Sequence, residues 1–347
     1  MSMTVQGYER RTASILLIAL LVPLHAQQLL PWKDPSPHTT IFVPVEKSVR
    51  LEVLDWGGAG RPVVLLAGAG DTAHVFDGFA PKLSAHYHVY GITRRGFGAS
   101  GYAPSDDMSK RLGEDVLTVI DALNLRRPVL IGHSIGGAEL SWVANNHPNR
   151  VAGLVYLDAG YSYAFDDGKV ESVTELHRFT HLPPPPDSSD LASFSALAKY
   201  YERINGFPFP EAELHQERNM NPDGTVGAQR QFPGYAVTTK LIATPSKYSA
   251  IPVPALLIFA NPHTVSAWVE HSTDPAVRSE ARAYSTAMES LVTKQENAVK
   301  DRIPGAHVVT IPYANHYVYL SNETDVLREV KAFFGTLQLQ SPDERAK

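Results

Sequence analysis

Gly132-His133-Ser134-Ile135-Gly136, with Gly137 next, is the part of the chain where residue type and spacing point most directly to chemistry. It is a G-x-S-x-G pattern between an apolar run, Pro128 to Gly132 (PVLIG), and a helical stretch, Ile135 to His147. A buried strand that must turn into a helix within a few residues forces the serine into a strained conformation. The hydroxyl is then presented at the C-terminal edge of a sheet and at a helix N-terminus, where developing negative charge is favoured. Small residues two before and two after let the chains pass closely. The competing reading is a glycine-rich turn with an incidental serine; the strand before and the helix after favour a nucleophile.

A serine hydroxyl is a poor nucleophile at neutral pH and needs a base. The chain order for such an elbow is serine, acid, histidine. His316, in Pro312-Tyr313-Ala314-Asn315-His316, follows the last strand and is the expected base. His133 is locked inside the elbow, and His307 opens a strand at the opposite edge. His263 follows the seventh strand, where an acid is usual. For the acid, the ends of the sixth and seventh strands both suit. After the seventh, no carboxylate occurs until Glu270 and Asp274; after the sixth, Val155-Tyr156-Leu157 leads straight into Asp158. An aspartate ending an apolar strand is costly to bury unless paired. Asp158 is therefore the expected orienter of His316, with the later loop as the alternative. The oxyanion hole should use the backbone N–H of Ile135 and one from Gly68-Ala69-Gly70-Asp71, with Ala69 the choice and Gly70 the alternative.

These residues need a scaffold, and the rest of the chain supplies its rhythm. His38 to Val45 and Val49 to Asp55 read as a β-hairpin, followed by a turn at Gly57 to Gly60. Pro62 to Ala67, His88 to Thr93, Pro128 to Gly132, Val151 to Leu157, Pro254 to Ala260 and His307 to Ile311 are short apolar runs typical of strands buried on both faces. Helices are expected at Phe76 to His86, through Leu112, Val116, Val119, Ile120 and Leu123, at Ile135 to His147, after the Asp274-Pro275 cap, and through Val326, Val330, Phe333 and Phe334. The alternation predicts an α/β fold, a mostly parallel, doubly wound sheet of about eight strands. The core is expected over 27–159 and 250–340. Between them, 160–249 breaks the rhythm, is rich in Tyr, Phe and Pro, and reads as a mainly helical cap over the strand ends, with Leu191 to Ile204 as one helix. Tyr161, Tyr163 and Phe165 line a pocket or pack cap against core. Glu139, one turn past the nucleophile, reads as a helix-surface salt bridge.

The chain resembles the α/β-hydrolase superfamily, of the small bacterial kind with a cap after the sixth strand. Besides the elbow, Arg94-Arg95-Gly96-Phe97-Gly98-Ala99-Ser100 resembles the R-G-x-G-x-S loop common after the fourth strand. Pro304-Gly305-Ala306-His307 leading to Asn315-His316 resembles the final strand and histidine loop. Two departures stand out: Ala67-Gly68 replaces a common His-Gly, and the loop after the seventh strand lacks the common aspartate. The resemblance implies Ser134 and His316 as nucleophile and base, and Asp158 as in members with a strand-six acid.

The 347 residues carry Lys+Arg 31 against Asp+Glu 36, a net charge of −5. There is no basic excess, so nucleic acid is not the expected partner. With 19% charged and 44% apolar residues, the chain is no disordered polymer. No cysteine is present, which removes thiol nucleophiles, disulfides and cysteine zinc sites. No phosphate loop and no H-E-x-x-H spacing occur, so no cofactor or metal is expected. Glu9, Arg10 and Arg11 before the apolar run Ala13 to Leu24, then Ala26 before Gln27, read as a signal peptide over 1–26. Export is the expectation, with a membrane anchor if the leader stays uncleaved and no stable insertion of the mature chain. The expected activity is a serine hydrolase acting on a small-molecule carboxylic ester or lactone. An amide or C–C bond hydrolase, or a non-catalytic ligand-binding member of the fold, are the alternatives.

Overall fold

The computed structural model describes residues 32–176 and 179–339. The chain separates into residues 1–33, of which Trp32 and Lys33 are described, and a compact unit, Asp34–Lys347, that holds every element below. The predicted leader over 1–26 lies outside the described residues.

Strands β1 (Thr39–Glu46) and β2 (Val49–Asp55) form the predicted hairpin. Then come β3 (Pro62–Leu66), the short helix α1 (Ala80–Ser84), β4 (His88–Ile92), α2 (Met108–Ala122), β5 (Val129–His133), α3 (Gly136–Asn146) and β6 (Gly153–Leu157). The segment after β6 carries α4 (Phe194–Asn205), α5 (Glu211–Glu217), a two-stranded ribbon of β7 (Arg218–Met220) and β8 (Val226–Gln229), and α6 (Gly234–Ile242). The rhythm resumes with β9 (Ala255–Ala260), α7 (Ala267–Glu270), α8 (Pro275–Arg302), β10 (Ala306–Ile311), α9 (Val318–Ser321) and α10 (Glu323–Leu339). Eight strands make one sheet in the order β1-β2-β4-β3-β5-β6-β9-β10, antiparallel at β1–β2–β4 and parallel from β4 to β10.

The apolar runs become central strands because both faces are covered. Val64, Leu66, Leu130, Leu154, Tyr156, Leu257 and Phe259 pack with Val116, Ile120, Leu140 and Val292. The alternate residues Val63, Leu65, Ile131, Val155, Leu256 and Ile258 pack with Phe76, Leu83, Val330 and Phe334. The two-residue period of a strand thus divides one apolar run between two helical layers.

Two helices differ from expectation. The stretch Phe76 to His86 is a 3-10 turn, Ala73–Phe76, and the five-residue α1, rather than one helix. Pro81 lacks the N–H an upstream helix would need and sits at the start of α1, with Gly78 in the break. In the inserted segment, Ser193 stops a 3-10 turn at Asp190–Ala192 and caps α4 by accepting from the Ala196 N–H. Asp274 caps α8 as predicted, accepting from the Ala276 N–H at 2.8 Å. Among the described residues no helix is long and apolar enough to cross a membrane.

Candidate active site

Ser134 occupies the sharp turn between β5 and α3 with φ +50°. Its N–H bonds the Leu157 carbonyl at 3.2 Å, and its own carbonyl accepts from Gly137 at 2.9 Å. The flanking glycines are required sterically. A Cβ on Gly132 would stand 2.8 Å from the Gly136 carbonyl carbon, and one on Gly136 would stand 2.9 Å from the Leu66 carbonyl oxygen. A left-handed residue that is not glycine, held at a strand–helix junction, stores strain to present its side chain.

Asp158 ends β6, also with positive φ (+46°), and is fully buried. Four donors converge on its carboxylate. Oδ1 accepts from the Tyr161 hydroxyl at 2.8 Å and the Ala260 N–H at 3.1 Å. Oδ2 lies 2.7 Å from His316 Nδ1 and 2.8 Å from His263 Nε2. Burial alone would raise the carboxyl. The two imidazoles, His263 foremost, outweigh it and hold Asp158 well below the usual carboxylate range. The structure thus brings the predicted acid to the predicted base. Asp274 is engaged as a helix cap, and Glu270 sits on α7.

The sequence argues against His263 as the base, and the structure agrees. His263 occupies the position after the seventh strand of the fold, β9, where an acid is usual, and donates to the acid instead. Burial works to lower its pKa, and the Asp158 charge more than reverses that, so the net shift is upward. His133, inside the elbow, stands 3.1 Å through Nε2 from the His316 carbonyl oxygen and so braces the histidine loop. Burial first, then the neighbouring His316, lowers its pKa well below the ordinary value, so the ring is neutral and donates from Nε2.

A cavity of about 370 Å³ is lined by Ser134, His263 and His316 together with Tyr161, Tyr163, Ile242 and Met288. Phe165, grouped with the two tyrosines in sequence, is buried in the core. Burial pushes the Tyr163 phenol up, so it stays protonated where it lines the cavity together with Ser134.

Glu139 is a correction. It is 5% exposed, not on the helix surface. Its carboxylate receives Arg94 Nε at 3.0 Å and Nη2 at 2.7 Å, while the same guanidinium donates to the carbonyls of Gly68 (2.9 Å) and Ala67 (2.7 Å). Helix periodicity could not reveal a partner 45 residues upstream; the arginine pair opening Arg94 to Ser100 was the available signal. The Arg94 fork fixes the carbonyls beside Ala69, while Ile135 immediately follows Ser134 and precedes α3. Those are the two segments from which oxyanion donors were expected.

Among the described residues, Asp158, His263 and His316 have ligand atoms close enough for a metal ion. Their contacts are hydrogen-bond lengths onto one shared oxygen, as ring N–H donors give.

A family model described as the alpha/beta hydrolase family matches residues 63–330, and the chain belongs to that family. It is 34% identical over 110 residues to a pyrethroid hydrolase of Sphingobium wenxiniae, a stretch covering 28% of this chain and 35% of that one. It is 37% identical over 108 residues to a non-heme chloroperoxidase of Streptomyces lividans, covering 30% and 39%. The match thus spans little more than a third of either relative's length. The solved E-2-(acetamidomethylene)succinate hydrolase aligns with TM-score 0.58 and 17% identity over 86% of this chain and 99% of that one, a likeness of fold.

Proposed function

We propose that the protein cleaves a carboxylic ester or lactone through an acyl-enzyme on Ser134. The observation that carries this reading is the 2.7 Å contact between Asp158 and His316 Nδ1, with His316 and Ser134 opening onto one cavity. Asp158 fixes the tautomer that leaves His316 Nε2 unprotonated. That nitrogen takes the Ser134 proton as Oγ attacks the carbonyl carbon. The tetrahedral oxyanion is met by the N–H groups of Ile135, at the N-terminus of α3, and of Ala69, in the loop after β3. His316 returns the proton to the departing alcohol. It then activates water, which releases the acid and restores Ser134. The buried carboxylate stabilises the imidazolium formed in both halves.

The aromatic and aliphatic lining of the cavity supports a substrate with an apolar acyl or alcohol part of modest size. The segment 160–249 acts as a cap that completes this lining through Tyr161, Tyr163 and Ile242, and the leader directs export, with a mature chain beginning near Gln27. Turnover of p-nitrophenyl esters of graded acyl length and of lactones tests the reading, with Ser134→Ala as the control. A fluorophosphonate that labels the wild type and not Ser134→Ala supports it; equal labelling of both overturns it.

A further inference from the structure

A second cluster lies where the chain enters the sheet. Asp34 and His38 precede β1; His74 and Asp77 lie on and just after the 3-10 turn Ala73–Phe76. Asp34, His38 and His74 have ligand atoms all within 4.8 Å of one another. His74 Nδ1 is 2.8 Å from Asp34 Oδ2 and 3.4 Å from Asp77 Oδ2. The His38 ring has Nδ1 3.3 Å from Asp77 Oδ1 and Nε2 4.0 Å from Asp34 Oδ2. Around a tetrahedral zinc ion with bonds of about 2.0–2.1 Å, ligand atoms stand about 3.3 Å apart; the two contacts to Asp77, 3.3 Å from His38 Nδ1 and 3.4 Å from His74 Nδ1, lie near that value, while His74 and Asp34 share a direct hydrogen bond that a bound ion would replace.

Three further observations separate this cluster from an ordinary ion-pair lattice. First, the Asp77 side chain is 8% exposed, yet neither of its oxygens has a hydrogen-bond partner; His38 Nδ1, at 6% exposure, has none either. Buried polar atoms facing one another without hydrogen bonds are costly unless something else satisfies them. Second, His74 turns Nε2 toward Glu52, 3.8 Å from Oε1, and Glu52 Oε2 is itself held by the Thr93 hydroxyl at 2.7 Å. The carboxylate thus stands behind the far nitrogen, beyond direct hydrogen-bond distance, on the side from which a ligating imidazole is oriented. Third, the carboxylates of Asp34, Asp77 and Glu52 surround the two imidazoles, an acidic setting that favours a cation. A groove lined by Asp34, Pro37, Asp77 and Lys82 gives access from solvent.

We propose that Asp34, His38, His74 and Asp77 bind one divalent transition-metal ion, zinc by its donor set, with Glu52 orienting His74. Two imidazoles and two carboxylates without thiolate suit zinc and exclude a soft-metal site. With four protein ligands the site is structural. It fastens the segment before β1 to the turn that begins two residues after Asp71, behind the expected oxyanion loop.

The test uses the full chain, stripped with chelator, reloaded with zinc sulfate and desalted, with bound metal measured by inductively coupled plasma mass spectrometry. One zinc per chain is expected, with a rise in thermal midpoint on reloading. Cobalt(II) in its place should give the visible absorption of a four-coordinate site. His38→Gln and His74→Gln, checked for fold by circular dichroism, should each weaken zinc binding by more than the roughly 10–100-fold that orienting residues cost, and Glu52→Gln by about tenfold. His263→Gln should retain one zinc. The proposal is overturned if the reloaded wild type carries no zinc above background. It is equally overturned if folded His74→Gln binds as the wild type does, or if His263→Gln is the variant that loses the metal.

Discussion

Asp158→Asn isolates the charge from the geometry. The side chain is fully buried and outside the cavity wall, so substrate binding should change little and KM should stay near its original value. The four partners dictate how the amide sits. The Ala260 backbone N–H can only donate, at 3.1 Å. An amide nitrogen placed there would leave two buried donors facing each other, at about 1–3 kcal/mol. The amide oxygen therefore keeps the Oδ1 position, and the nitrogen takes the Oδ2 position between His316 Nδ1 and His263 Nε2. Now a donor, it forces His316 into the tautomer with its proton on Nε2, the nitrogen that must accept from Ser134. It also removes the negative charge that stabilises the imidazolium. Loss of both effects should lower kcat by roughly 10³–10⁴, about 4–5.5 kcal/mol of barrier. Steady-state hydrolysis of a short p-nitrophenyl ester at neutral pH, with circular dichroism to verify the fold, measures it. Asp158→Asn activity within tenfold of wild type would refute the role of Asp158. So would an equal loss in Glu270→Gln, because the acid would then belong to the loop after β9.

Ser134→Ala should lower kcat by several orders of magnitude in a folded protein, read by the same ester assay. His263→Asn should destabilise the protein more at pH 5 than at pH 8, because the Asp158 charge holds the His263 pKa above its ordinary value and the pair's contribution is lost as pH rises; an equal loss of melting temperature at both counts against a charged pair. Asp71 is pushed up to about 8, by burial first and then by the Glu217 charge. A carboxyl whose folded pKa lies above its unfolded one stabilises at low pH and loses that contribution as pH rises. Thermal midpoints should therefore fall between about pH 4 and pH 8 in the wild type and fall less in Asp71→Asn.

How far the sequence reaches depends on the range of each signal. The strands of the sheet are legible because burial on both faces leaves unbroken apolar runs such as Ala255–Ala260. The elbow is legible because its constraint is local: glycines at 132 and 136 leave room that any Cβ would close. Asp158 and His316 can be named because chain order and strand ends restrict the choices, and the structure places them 2.7 Å apart. What escapes is pairing between distant segments. His263 meets Asp158 across 105 positions, and Glu139 meets Arg94 across 45. A histidine after the seventh strand reads as a missing acid until the fold shows that it donates to the acid of the sixth. The helix expected over Phe76 to His86 fails for a local reason, because apolar content there outweighed the proline and glycine that interrupt it.

The Arg94–Glu139 pair shows how such long-range pairing serves the site. Glu139 lies on α3, whose N-terminus follows Ser134 and Ile135; Arg94 follows β4 and holds the carbonyls of Ala67 and Gly68. One guanidinium therefore ties the elbow helix to the glycine loop, the two places from which the proposed oxyanion donors come. Both side chains are nearly dry, at 3% and 6% exposure, so neither charge is free to hydrate if the other is lost. Glu139→Gln leaves a buried guanidinium without its counter-charge, and removing one partner of such a pair costs about 3–5 kcal/mol. Arg94→Ala also frees two loop carbonyls. If the pair served stability alone, the two variants would lose melting temperature alike and keep kcat in the folded fraction. If it also holds the oxyanion donors in register, Arg94→Ala should lower kcat by an order of magnitude or more beyond Glu139→Gln, since misplacing a single oxyanion donor costs about 10²–10³. Equal kcat in the two variants, measured well below their melting temperatures, would reduce the pair to a structural tie.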